Sequence, residues 1–186
     1  LHPQANVVAS RLEDANLPDG FFDAALGNLP FADVFVSDRR YRGLSPLLHD
    51  YMLLRTVDLL RPGGIAIAIT SRGFLDKRQD KIRDAVCDRA SLVAAFRLPN
   101  TAFHRHTKTR VVADVLVLQR RPELLSAVSD DLRDMLIAAQ GDWRATETLF
   151  GCDGEVRVNR YFRDHPEHVL GDMGVASGPY GATLDV

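Results

Sequence analysis

The chain is poor in cysteine: Cys87 and Cys152 are the only two in 186 residues. That excludes a disulfide framework and points to free thiols in a reducing, cytoplasmic setting. Long hydrophobic runs are also lacking. The longest, residues 64–70, is far too short to cross a bilayer, and the opening residues show no signal-peptide pattern, so neither secretion nor membrane insertion is expected. No charge sign dominates. The formal net charge is −2, so the molecule as a whole is not a basic nucleic-acid binder, and contact with a polyanion would have to come from a local patch. There is no internal repeat, no low-complexity stretch, and no Gly-x-Ser-x-Gly elbow to support a hydrolase built on Ser71 and Asp114. Residues 1–27 contain no glycine-rich loop following a strand.

What is present is globular. A hydrophobic content of 46% and this length suit one domain with a proper core, or one domain plus an extension. Val7-Val8-Ala9 is a short strand candidate, followed by a polar stretch with a loop at Leu17-Pro-Asp-Gly20. The chain opens inside that strand candidate without a Met, and reads as the interior of a longer protein. Phe22–Leu26 is nearly continuous in apolar residues, as a strand covered on both faces requires. Residues 46–60 carry a helical apolar stripe from Leu47 to Leu60, stopped by Arg61-Pro-Gly-Gly64. Ile65–Ile69 predicts a buried strand, 76–89 an amphipathic helix, 92–98 a strand, and 111–119 a strand apolar enough to be central. Residues 129–140 predict a helix. The glycine-rich tail from Gly151 has weak periodicity and reads as an extension, with Trp143 as a packing residue. Strands alternating with helices imply an α/β fold with a parallel sheet. The expected division is 1–122 for the sheet domain and 123–186 for a helical or irregular extension.

The most informative run is Phe22-Phe-Asp-Ala-Ala-Leu-Gly-Asn-Leu-Pro-Phe31. It places Asn28, Pro30 and Phe31 at the carboxyl end of a strand, where ligands sit in open α/β sheets. An amide carbonyl and a backbone carbonyl can accept hydrogen bonds from an exocyclic amine, and an aromatic face can stack on a flat base. The alternative is a strand-end turn, with Asn28 capping and Phe31 in the core. Asp38-Arg39-Arg40-Tyr41-Arg42 and Phe103-His-Arg105-His-Thr-Lys108-Thr-Arg110 are basic stretches that could face phosphates or simply be solvated surface. The candidates are Arg39, Arg40, Arg42, Arg105, Lys108 and Arg110. Histidines 104, 106, 165 and 168 raise the question of a metal, but no cysteine or acidic cluster completes a tetrahedral set at sensible spacing, so no metal is expected.

The segment around Asn28 resembles motif IV of the amino-methyltransferases that use S-adenosylmethionine (SAM). Its usual form is Asn/Asp-Pro-Pro-aromatic, with Leu29 here in the second position. Arg61-Pro-Gly-Gly64, Ile69-Thr-Ser-Arg72, Val112-x-Asp114-x-Leu-x-Leu118, Val158-Asn-x-Tyr-Phe162 with His165-Pro-Glu, and Gly178-Pro-Tyr-Gly181 are similar, in order, to the phage- and plasmid-type adenine DNA methylases. The resemblance implies a Rossmann-like methyltransferase sheet whose last strand inserts antiparallel, SAM as cofactor, DNA as partner, and methyl transfer to the N6 amine of adenine. It makes Asn28, Pro30 and Phe31 catalytic and gives Asn28 a second role at the cofactor. It also assigns an acidic cofactor contact to Glu13 or Asp14, for which a turn cap is the other reading. The loop of Thr107, Lys108 and Thr109 would help to enclose the target base. The first two strands of the family sheet, with their glycine-rich loop, would then be absent. The strand at Phe22 would have an open edge to be completed by a second copy or a partner chain. The same fold also serves RNA and protein-glutamine methylation, and a non-catalytic module for DNA binding or assembly is a further alternative.

Overall fold

The computed structural model describes residues 4–44, 46–78, 81–104, 110–140, 143–179 and 181–186. Its centre is a sheet of four strands: β1 (Phe22–Asn28), β2 (Leu60–Ser71), β3 (Ala90–Leu98) and β4 (Ala113–Arg120), in spatial order β1-β2-β4-β3. β1 runs parallel to β2, and β4 inserts antiparallel to both of its neighbours. Helix α1 (Leu48–Leu59) makes the crossover between the parallel pair, the connection such a pair requires. A single turn, α2 (Gly73–Asp76), and α3 (Lys81–Arg89) connect β2 to β3. The helix expected over 76–89 is thus divided: Asp76 closes α2 and the second helix starts at Lys81.

The pleat sorts the strands into two faces. Ala66 and Ala68 of β2 and Leu116 and Leu118 of β4 are buried with Tyr51, Leu54 and Val57 of α1 and Val86 of α3. The other face is only half covered. Leu26, Ile67 and Val117 lie side by side across it by register, and Leu26 is 79% exposed. This corrects the expectation for β1, which is apolar but mostly exposed rather than covered on both faces. Arg61-Pro-Gly-Gly64 ends α1 as read, yet it also belongs to β2. Gly63 turns with φ 78°, and a Cβ at Gly64 would sit 3.0 Å from the Phe22 carbonyl oxygen, so only glycine lets the two backbones approach there. Val7–Ala9 forms no strand and is exposed; two β-branched residues without a ladder partner gain nothing from extension.

The tail is more regular than its periodicity suggested. Beyond α4 (Asp130–Gln140) it forms a hairpin of β5 (Thr146–Gly151) and β6 (Gly154–Asn159), a turn of helix α5 (Tyr161–Asp164), and a hairpin of β7 (Gly174–Gly178) and β8 (Gly181–Asp185). Val156, Val158 and Leu184 make a small cluster of their own with Val112, while Trp143, Tyr161 and Phe162 join the main core. The tail also covers β3, the outer strand on that side of the sheet. The Ala95 N–H donates to the Tyr161 hydroxyl (3.1 Å), the Leu170 N–H donates to the Arg97 carbonyl (2.9 Å), and Val169 bridges Arg97 in parallel. Among the described residues no strand pairs with the outer edge of β1.

Candidate functional site

The carboxyl ends of β1 and β2 lie side by side. Asn28 is level with Ile69, and the Leu29 N–H still donates to the Ile69 carbonyl at 2.9 Å. Pro30 has no N–H to give, so the ladder stops there. Alternation sends Leu29 into the core, 6% exposed, and leaves Asn28 and Pro30 outside it. Phe31 is 42% exposed, so it does not take the core position of the strand-end alternative. The Pro30 carbonyl accepts from the Ala32 N–H at 3.1 Å; a carbonyl oxygen has two lone pairs, so one acceptor site remains.

The chain then doubles back. Phe35 bridges Leu47, and the Leu48 N–H donates to the Val34 carbonyl. Asp38 caps a 3₁₀ turn over Arg39–Tyr41, accepting the Arg40 N–H (2.9 Å), the Arg40 guanidinium (2.9 Å) and the Tyr51 hydroxyl (2.9 Å). Burial pushes the Asp38 carboxyl up, but these donors together hold it below the usual aspartate value. Burial and the Asp38 charge push the Tyr51 phenol up. Burial and Asp58, which accepts the Tyr41 hydroxyl at 2.7 Å, do the same to Tyr41. Of the basic residues expected to face phosphate, Arg40 is therefore paired, while Arg39 and Arg42 are exposed. Arg110 is exposed too, and Arg105 and Lys108, with Thr107 and Thr109, lie outside the described residues.

Glu13 and Asp14 sit in a turn after Arg11 and line a cleft of about 630 Å³. Leu12, Val34, Phe35 and Met52 form its apolar walls. The same two acids line an adjoining recess of about 410 Å³ with Arg39 and Arg40. Acidic acceptors beside an apolar wall fit a flat, amine-bearing group such as the adenosyl part of SAM. Asn28, Pro30 and Phe31 are not part of that lining. The structure thus gathers the expected acidic residues with two of the expected arginines, and leaves the Asn28 group outside both recesses, at the carboxyl end of β1.

A polar constellation that the sequence reading missed lies deeper. Fully buried Arg97 donates from Nε and Nη2 to both oxygens of Asp114 (2.8 and 2.9 Å) and from Nη2 to Asp76 (2.9 Å). It also stacks on Phe162, 4.0 Å from the ring centre. Asp76 accepts the Asn159 N–H (2.8 Å) and the Arg72 guanidinium (3.2 Å). The Asn159 side chain donates to the Leu75 and Trp143 carbonyls, each at 2.8 Å. Burial opposes the charge on Arg97, yet the two carboxylates push its pKa further up, so it stays a cation. Asp114 is consumed in this pair, and the Ser71 hydroxyl accepts the Gly73 N–H at 3.2 Å, so among the described residues neither forms a nucleophilic pair. The usable signal was an arginine within the otherwise apolar strand 92–98, which needs a buried anion.

The sheet and its inserted antiparallel strand define a mixed α/β protein with a candidate site at the carboxyl ends of its parallel strands. No protein-family model matches the chain, and no curated protein matches it. Among solved structures it is similar to the M protein of the type I restriction enzyme EcoKI, with 22% identity and a TM-score of 0.42 over 59% of this chain and 23% of that one. It is also similar to a protein from Listeria monocytogenes described as a class I SAM-dependent methyltransferase (16% identity, TM-score 0.47, 70% of this chain and 45% of that one). A third is a chain from a type I restriction–modification system (18% identity, TM-score 0.45, 61% and 23%). The chain spans less than half the length of each.

Proposed function

We propose that the chain is the carboxyl-terminal part of a SAM-dependent methyltransferase acting on the exocyclic N6 of adenine in DNA. The observation that carries this reading is Asn28-Leu-Pro-Phe31 at the carboxyl end of a parallel strand pair, with Asn28, Pro30 and Phe31 outside the core and only Leu29 committed to it. SAM, when bound, supplies an electrophilic methyl group. The chain's own residues prepare the acceptor. The Asn28 amide oxygen and the second lone pair of the Pro30 carbonyl accept hydrogen bonds from the two amine N–H groups, which localises the nitrogen lone pair that the ring would otherwise delocalise. Phe31 stacks on the base once it leaves the duplex. Glu13 or Asp14 accepts from the adenine amine of the cofactor in the cleft beside Leu12 and Phe35. Arg39, Arg42 and Arg110 meet phosphate, joined by Arg105 and Lys108.

The test is transfer of labelled methyl from SAM to unmethylated duplex DNA by the complete protein, repeated with Asn28→Ala. Because Asn28 is exposed, the fold is expected to persist while activity falls about 100-fold or more, the scale of a lost positioning contact. A non-catalytic DNA-binding or assembly module is the second reading, favoured by the separation of Asn28 from the cleft that holds Glu13 and Asp14. Activity indifferent to Asn28→Ala would select it. Transfer to RNA or to a glutamine side chain in place of duplex DNA would keep the chemistry and change the substrate.

A further inference from the structure

The segment that covers the edge of β3 also brings two imidazoles and a carboxylate to one point. Pro166–His168 is a 3₁₀ turn with His165 at its start. In that geometry side chains three residues apart eclipse one another. The His165 and His168 rings accordingly lie 5.4 Å apart with 15° between their planes. Glu167, between them in sequence, turns its Oε1 back to 3.3 Å from His165 Nδ1 and 3.9 Å from His168 Nε2. The three ligand atoms all lie within 4.8 Å of one another.

From this arrangement we infer that His165, Glu167 and His168 form a binding site for a divalent cation of the zinc class. A metal with bonds of about 2.0–2.2 Å in tetrahedral geometry needs ligand atoms about 3.4 Å apart. One pair already has that separation, and the others close by rotation of side chains that are partly solvated, His165 being 45% and Glu167 63% exposed. Two neutral imidazoles and one carboxylate suit zinc, cobalt or nickel rather than magnesium or calcium, and leave a position for water. His168 has the outer-sphere support such ligands need. Its Nδ1 is 2.8 Å from the Tyr161 hydroxyl, which is fixed in turn by the Ala95 N–H. A hydroxyl can accept as well as donate, so with Nε2 on the metal, Nδ1–H donates to Tyr161 and sets the ring orientation. Along the sequence no acidic cluster accompanies the histidines; one glutamate inside the turn is enough.

Such a metal acts as a clip. It would tie the turn after Tyr161 to itself just where Val169 and Leu170 hold the edge of β3. The experiment is a calorimetric titration of zinc chloride into the untagged, metal-free full chain, with Co²⁺ absorption as a coordination probe. One Zn²⁺ per chain at micromolar affinity is expected, with a visible Co²⁺ band of the intensity of four or five ligands. His165→Ala, at a half-buried position, and Glu167→Gln, at an exposed one, should each weaken binding at least tenfold. His104→Ala, which removes a histidine outside the 165–168 turn, should leave it unchanged. Zinc should also slow amide exchange at Leu170. Absence of binding, or binding indifferent to His165→Ala, would overturn the assignment.

Discussion

Leu29 shows how one residue can serve both the fold and the candidate chemistry. Its side chain fills the core beside the sheet, and its N–H makes the last bond of the β1–β2 ladder. A proline there, the usual residue of the motif it resembles, would lose that bond. Leu29→Pro is therefore expected to destabilise the chain rather than improve the site, by about 1–3 kcal/mol for the unpaired Ile69 carbonyl and the lost packing, measurable by urea unfolding. Arg97 is the most exacting residue. Replacing it by Leu strands Asp114 without its cation and leaves Asp76 with Arg72 alone, and breaking a buried pair costs about 3–5 kcal/mol; the same denaturation experiment should show a loss of that size. The carboxylates also set an acid limit. Burial raises Asp38 and Asp50, but Arg40 and Tyr51 for the first, and His49 and Lys77 for the second, pull both below the ordinary value of 3.8. A folded-state pKa below the unfolded one contributes stability that is complete above the unfolded value and is lost as pH falls through the folded value. Stability should thus hold down to about pH 4 and decline below it, and Asp50→Asn should flatten that decline in unfolding curves taken at successive pH values.

At the scale of elements, the parts set by local pattern were legible and those set by distant partners were not. The stripe from Leu47 to Leu60 gave α1, and Ile65–Ile69 gave the middle of β2, because periodicity and burial are written into neighbouring residues. β1 was found but its environment was misjudged: an apolar run says that a strand would profit from cover, not that cover is present. The tail hairpins were missed because β5 and the strands around it are half-exposed and alternate weakly, although Asp153-Gly154, leading from the turn into β6, is an ordinary turn signal. For the site, the group around Asn28 could be read from its sequence. The Arg97–Asp114–Asp76–Asn159 cluster could not, since its members come from two strands, a helical turn and the tail. Tyr161 is the simplest test of the tail's hold on the sheet. Tyr161→Phe leaves the buried Ala95 N–H without its acceptor, which should cost about 1–3 kcal/mol and raise hydrogen exchange at that amide.

Across the whole molecule the two outer strands are treated differently. β3 is sealed by Tyr161, Val169 and Leu170, while β1 presents an edge with no described partner strand and a face carrying Leu26 beside Ile67. An open apolar edge invites pairing with another chain. Light scattering of the isolated chain should therefore show concentration-dependent association, and Leu26→Lys should reduce it; a concentration-independent monomer would count against that surface. The sealing of β3 has a consequence of another kind. The residues that close this edge are translated well after β4, and chains emerge at about 5–20 residues per second. For the time that the ribosome needs between β4 and Tyr161, about 2–8 s at that rate, nothing yet exists to cover the β3 side. Replacing the codons between 121 and 160 with rarer synonyms should lengthen that wait and lower the soluble yield, without altering a single amino acid.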